Sequence, residues 1–205
     1  MKNTRRQTIL ALMGILLVSL AFFGCGQKEE PDVSIKTFSV GILHEDEDAL
    51  KRFGADKESF HKNFMEGFVS EYQRASGGIF TDDQARAIGE AVLTSISRAN
   101  VSTKTLSKEG DKATVEVTVD VIDPKKIDMT KLVQSVQKEV VAKGAPNQIL
   151  DIMTNKLEDE IKNIPISGQT TLQVDCTYNK DLGVWVPNNE QDYETRLGQA
   201  VLGES

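Results

Sequence analysis

The pattern of apolar and polar positions divides the chain into unlike parts. Ile9–Phe23 is an almost unbroken apolar run behind Lys2, Arg5 and Arg6. A basic start, a short apolar stretch and small residues near its end predict a secretory signal peptide over residues 1–24. The run is shorter than the roughly 20 residues that a membrane-crossing helix needs. Cys25–Asp32 (CGQKEEPD) has no large apolar residue to bury and predicts a flexible tether. From Val33 onward, apolar residues recur with the periods of helices and strands, which predicts one folded domain over residues 33–205.

Within that domain the pattern reads element by element. Val33–Leu43 is open between two readings: its β-branched residues suit a strand, while Ile35, Phe38 and Ile42 fit one side of a helix. Asp46 or Asp48 can cap a short helix carrying Ala49, Leu50 and Phe53, which Gly54 ends. Asp56–Arg74 predicts a helix whose Phe60, Phe64, Phe68 and Tyr72 recur every four residues, a stripe assigned to the core. Thr81-Asp82-Asp83-Gln84 is a capping box, and the helix behind it places Ala85, Ile88, Ala91, Val92, Ser95 and Ile96 on its buried side.

Val101–Asp123 predicts a β-hairpin turning at Glu109-Gly110-Asp111. Its second arm alternates Ala113, Val115, Val117, Val119 and Val121 with Lys112, Thr114, Glu116, Thr118 and Asp120, the mark of a sheet with one buried and one wet face. Two helices follow. Asp128–Lys143 has Met129, Leu132, Val133, Val136 and Val140 on one face; Asn147–Asn163 has Leu150, Met153, Leu157 and Ile161. A second hairpin, Gln169–Tyr178 with Gly183–Val186, and a helix over Glu190–Leu202 close the chain. Strands and helices do not alternate regularly, so the class is α+β: an antiparallel sheet packed against amphipathic helices.

Charge narrows the partners. The chain carries −7, and without the three basic residues of Met1–Gly24 it carries −10. That balance disfavours nucleic acid. The second cysteine, Cys176, shares a strand face with Leu172, Val174 and Tyr178 and reads as a core thiol. A disulfide to Cys25 would require Cys25 to stay unmodified and the tether to fold back.

Gly24-Cys25 at the end of the apolar run resembles the cleavage site of bacterial lipoproteins, which implies lipidation of Cys25 and anchoring at the extracytoplasmic face of the cell membrane. Phe22 and Phe23 depart from the family's usual residues, and a cut after Ser19-Leu20-Ala21 is the competing reading. The segments SVGILHEDEDALKRFG, GDKATVEVTVDV and TTLQVDCTYNKDLGVWVP, in that order, resemble NTF2-like (cystatin-like) α+β domains carried by Firmicute-type lipoproteins of unknown function. The resemblance implies a curved cone-like sheet and a module that binds a small molecule or protein, or alternatively an enzyme with a buried carboxylate.

No catalytic motif accompanies it. His44 and His61 read as surface residues, and His61 is expected to face solvent. The run His44-Glu45-Asp46-Glu47-Asp48 lacks the spacing of a calcium loop. Glu116, Asp120 and Asp175 share the wet strand faces. No metal, cofactor or catalytic residue is predicted. Tyr72, Tyr178 and Trp185 are the aromatic residues with polar tips that could line a pocket.

Overall fold

The computed structural model describes residues 28–204. The predicted signal, Cys25 and the first tether residues lie outside the described residues. Helices α1 (Pro31–His44), α2 (Glu47–Arg52), α3 (Lys57–Ser76) and α4 (Asp82–Ile96) precede strands β1 (Val101–Glu109) and β2 (Lys112–Ile122). Helices α5 (Met129–Lys143) and α6 (Ile149–Lys162) then intervene, each behind a short 3-10 turn. Strands β3 (Ile166–Asn179) and β4 (Val184–Pro187) and helix α7 (Glu190–Val201) complete the chain.

The four strands form one antiparallel sheet in chain order. Gly110 makes the β1–β2 turn at φ +61°, where a side chain would be strained. Opposite Val115 stands Val174, and opposite Val117 stands Leu172. Ala113, Val115, Val117 and Val119 therefore share one face with Val174 and Cys176, and all six are buried. Helices α1 and α7 cover that face. The other face, with Thr114, Glu116, Gln173 and Asp175, stays polar and open to water.

Val33–Leu43 resolves as helix. Pro31 sits in the first turn, where its missing N–H costs nothing, and Ile35, Phe38 and Leu43 go into the core. Its β-branched residues find no strand partner, and the buried side carries Ser34, Ser39 and Gly41, small enough for close packing. Ser39 shares a 2.6 Å hydrogen bond with the hydroxyl of the fully buried Tyr193, joining α1 to α7. The structure also places Lys28–Asp32, the last part of the expected tether, against the domain. Lys28 pairs with Asp111. The carbonyl of Glu29 accepts the indole N–H of Trp185 at 2.7 Å, and Pro31 already belongs to α1.

The predicted face of α5 divides. Leu132 and Val136 are buried, but Met129 and Val133 are exposed, because α5 packs on α6 and not on the sheet.

Asp120, expected on the wet face with Glu116 and Asp175, is buried instead: the β2–β3 register shifts between Asp120 and Ile122, so Ile122 rather than Val121 enters the core. The Asp120 oxygens accept from the Asn100 backbone N–H (3.0 Å), the Asn100 side chain (2.6 Å) and Gln169 Nε2 (2.9 Å). Those bonds, Gln169's first, hold its pKa below the ordinary 3.8. Asp120→Asn is expected to lower stability at neutral pH by about 1–3 kcal/mol. A carboxylate with a depressed folded pKa contributes fully above its unfolded value and loses that contribution as pH falls through the folded value. The difference between the two proteins in urea melts should therefore shrink below pH 3.8. Burial pushes the Cys176 thiol up to about 11. Native protein should leave this thiol unmodified by iodoacetamide at pH 8, and urea-unfolded protein should expose it.

Candidate functional site

Three helices build an apolar cavity. Helix α4 is the floor, with α3 packed on one flank and α6 on the other. The predicted capping box starts α4: Thr81 Oγ1 accepts from Gln84 N at 3.2 Å, and Thr81 N donates to Gln84 Oε1 at 2.9 Å. Gln84 Nε2 also donates to Asp151 on α6 at 2.7 Å, tying one flank to the floor. The other flank closes on Gly89. A Cβ there would stand 2.8 Å from Met65 Cε and 2.9 Å from Phe68 Cδ1, so the bare glycine lets α3 sit this close.

Between the flanks lies a half-open groove of about 340 Å³. Phe68 and Tyr72 line it from α3, Leu157 and Ile161 from α6, and Val92 and Ile96 from α4. Ile122, Pro124, Ile127 and Ile164 line it near the end of β2, with Met129 and Leu202 also contributing. Among the described residues that line it, Tyr72 and also Ser95 carry hydroxyl groups, and none is charged. Burial raises the Tyr72 pKa, so its phenol stays neutral and able to donate a hydrogen bond.

The aromatic stripe of α3 is half-buried rather than core. Phe64, Phe68, Tyr72 and Phe80 form a row with successive ring centroids 6.1, 5.8 and 5.4 Å apart. Its Tyr72 end lines the groove, which is why the stripe never closes into the core. Of the three aromatics expected at a pocket, the structure brings only Tyr72 there. Tyr178 and Trp185 pack on each other 5.5 Å apart at the opposite end of β2, where Trp185 is fully buried and the Lys28 ammonium sits 4.6 Å from the Tyr178 ring centre.

The other candidates separate as well. His61 does not face solvent freely. Its Nδ1 lies 3.0 Å from Glu45 and its Nε2 3.1 Å from Glu90, bridging the end of α1 and the side of α4. The acidic run is dispersed: Asp46 caps α2 through Ala49 N, Glu47 pairs with Lys51, and His44 Nε2 meets the Ala99 carbonyl at 2.9 Å. Among the described residues no three His, Cys, Asp or Glu side chains stand together as a metal site. Asp175 is exposed and accepts from Thr114 at 2.7 Å, and Asp120 is locked by neutral donors.

Val92, Ile96 and Leu157, which the sequence pattern places on buried faces, are half-buried and line the groove. Helix α4 carries apolar residues over a wider arc than one packing partner can cover, and that width was the sequence signal for a second, open surface.

Three comparisons with known proteins bear on this arrangement. A family model described as Domain of unknown function (DUF5105) matches residues 36–202. No curated protein matches the chain. Among solved structures, the crystal structure of ycdA from Bacillus subtilis, provisionally described as a lipoprotein, shares the fold with a TM-score of 0.65 at 20% identity. The match covers 84% of this chain and 56% of that one, so the present chain spans little more than half of the neighbour's length.

In an ordinary helix interior, Gly→Ala stabilises by about 1 kcal/mol. At Gly89 the new methyl must displace Met65 and Phe68, so Gly89→Ala is expected to destabilise by about 1 kcal/mol net, overpacking outweighing propensity. Thermal or urea unfolding of the two proteins measures the sign.

Proposed function

The chain belongs to the DUF5105 family, and from that premise we propose that it is a membrane-anchored lipoprotein whose extracytoplasmic domain binds an apolar small molecule in the α3–α6 groove. The observation that carries the binding reading is the groove itself. Its volume of about 340 Å³ falls in the range of about 300–1,000 Å³ typical of small-molecule sites. An uncharged apolar wall gives water few partners, so an apolar ligand gains from displacing it. Helices first, then a meander with a helical insert, also fit the NTF2-like cone as part of this reading.

The anchor rests on the position of Cys25 at the end of the apolar run and on the description of the structural neighbour as a lipoprotein. Among the described residues no helix is long and apolar enough to cross a membrane. Cys25 stands three residues before Lys28, a reach of at most about 10 Å. Lys28 pairs with Asp111, beside the β1–β2 turn. The groove adjoins the other end of the 11-residue β2, about 30 Å away at the rise of a strand. A lipid on Cys25 thus holds the turn end at the membrane and keeps the groove at a distance from it. The alternative, an enzyme working through a buried carboxylate, would need that carboxylate beside the groove. Asp120 is the buried one, and its oxygens are taken by Asn100 and Gln169.

Intact mass and detergent partitioning test the anchor. Wild type should carry acyl mass on Cys25 and enter the detergent phase, and Cys25→Ser should stay aqueous. An unacylated wild-type protein beginning at Phe22 would contradict the anchor. For the groove, calorimetry with decanol should show one saturable site that Val92→Trp, which fills the floor, removes. Equal binding by the folded variant would contradict the location.

A further inference from the structure

We infer that the groove takes a single-chain amphiphile with an anionic head, its tail along α4 and its head at Arg98. The inference rests on the reading of the groove as an apolar site and names what fills it. Two features of the groove's sheet end point to an anion. The first is Arg98, just past α4. Its Nη2 donates to Ser95 Oγ at 3.1 Å and to the Ile164 carbonyl at 2.6 Å, and both of those residues line the groove. An arginine has five N–H donors in a planar fork. Both bonds use Nη2, so neither two-donor edge of the fork is free, and the Nε and Nη1 N–H groups remain as single charged donors to an anionic head.

The second feature is the turn Pro124–Lys126. Pro124 lines the groove and carries Lys125 and Lys126 beside it. Ile122 pairs with Ile166 across β2 and β3, so this turn and Ile164 occupy the same end of the groove. Arg98, Lys125 and Lys126 make no ion pair among the described residues, whereas their neighbours Lys131 and Lys162 are matched by Asp128 (3.2 Å) and Glu158 (3.1 Å). The acid among these cations is Asp123, whose carboxylate accepts the Lys125 backbone N–H at 2.9 Å. With Asp120, held by Asn100 and Gln169, counted as well, three cations stand against two acids, a local positive excess in a domain that is acidic as a whole. A site that is apolar along its length and cationic at one end matches an amphiphile of opposite charge. The cavity's size admits one chain and not a diacyl lipid. The ligand is therefore a fatty-acid-like carboxylate arriving from the aqueous side.

The test is calorimetry on the mature chain, Cys25–Ser205 with Cys25→Ser, comparing decanoate with decanol. Decanoate should bind at least tenfold more tightly. From hexanoate to decanoate each added methylene should tighten binding about fourfold. Arg98→Gln should weaken decanoate at least tenfold and leave decanol within twofold, which also shows that the groove is intact. Lys125→Gln with Lys126→Gln should flatten the salt dependence of decanoate binding. Decanol binding as well as decanoate, with Arg98→Gln silent, would overturn the anionic head and leave the apolar site standing. Absence of binding by both would overturn the inference and the site together. Decanoate binding unchanged by Val92→Trp would overturn the inference by placing the ligand elsewhere.

Discussion

The close contact of α3 with α4 at Gly89 is the constraint on which the helical layer depends. Helix α4 serves two surfaces at once. Ile88 and Ala91 enter the core shared with the sheet, while Val92 and Ile96 turn outward. A glycine at the crossing lets α3 lie low against this helix, so Met65 is fully buried while Phe68 and Tyr72 stand along the side. Helix α6 leans on the opposite flank and is fastened through Asp151 to Gln84. The two flanks are spaced by the helix between them, and the groove is the space they leave. A bulkier residue at the crossing would lift α3 and change the cavity without touching its lining.

The sheet fixes where that groove stands relative to the chain's start. One face of β2 and β3 is covered by α1 and α7, and the other remains polar, so the helical layer can grow on only one side. The β1–β2 turn receives the incoming chain through Lys28, Glu29 and Trp185, and the groove lies by the other end of β2. The first described residues and the groove are thereby kept apart by the length of one strand.

Much of this was legible in the residues. The β1–β2 hairpin announced itself through strict alternation and a glycine at the turn. The capping box at Thr81 and Gln84 formed as its spacing required. Cys176 is buried on the face that alternation assigned to it. Other features depended on partners that local pattern cannot specify. Val33–Leu43 is open between strand and helix by its pattern and becomes a helix whose Ile35, Phe38 and Leu43 pack on the face of the sheet. Met129 and Val133 look like core positions, yet α5 meets only one helix. Tyr72, Tyr178 and Trp185 are chemically alike but end on opposite sides of the domain, a separation set by topology. The groove was foreshadowed only by the excess width of the apolar arc on α4.

The central claim is that the space between α3 and α6 is a ligand site, and methyl NMR tests it most directly. Titration with decanol should move the methyl signals of Val92, Leu157, Ile161 and Ile164 together and saturably, while those of Val115 and Val117 under α1 and α7 stay in place. Shifts confined to the exposed side of α5, at Val133 and Val141, or no saturable shift at all, would contradict the account.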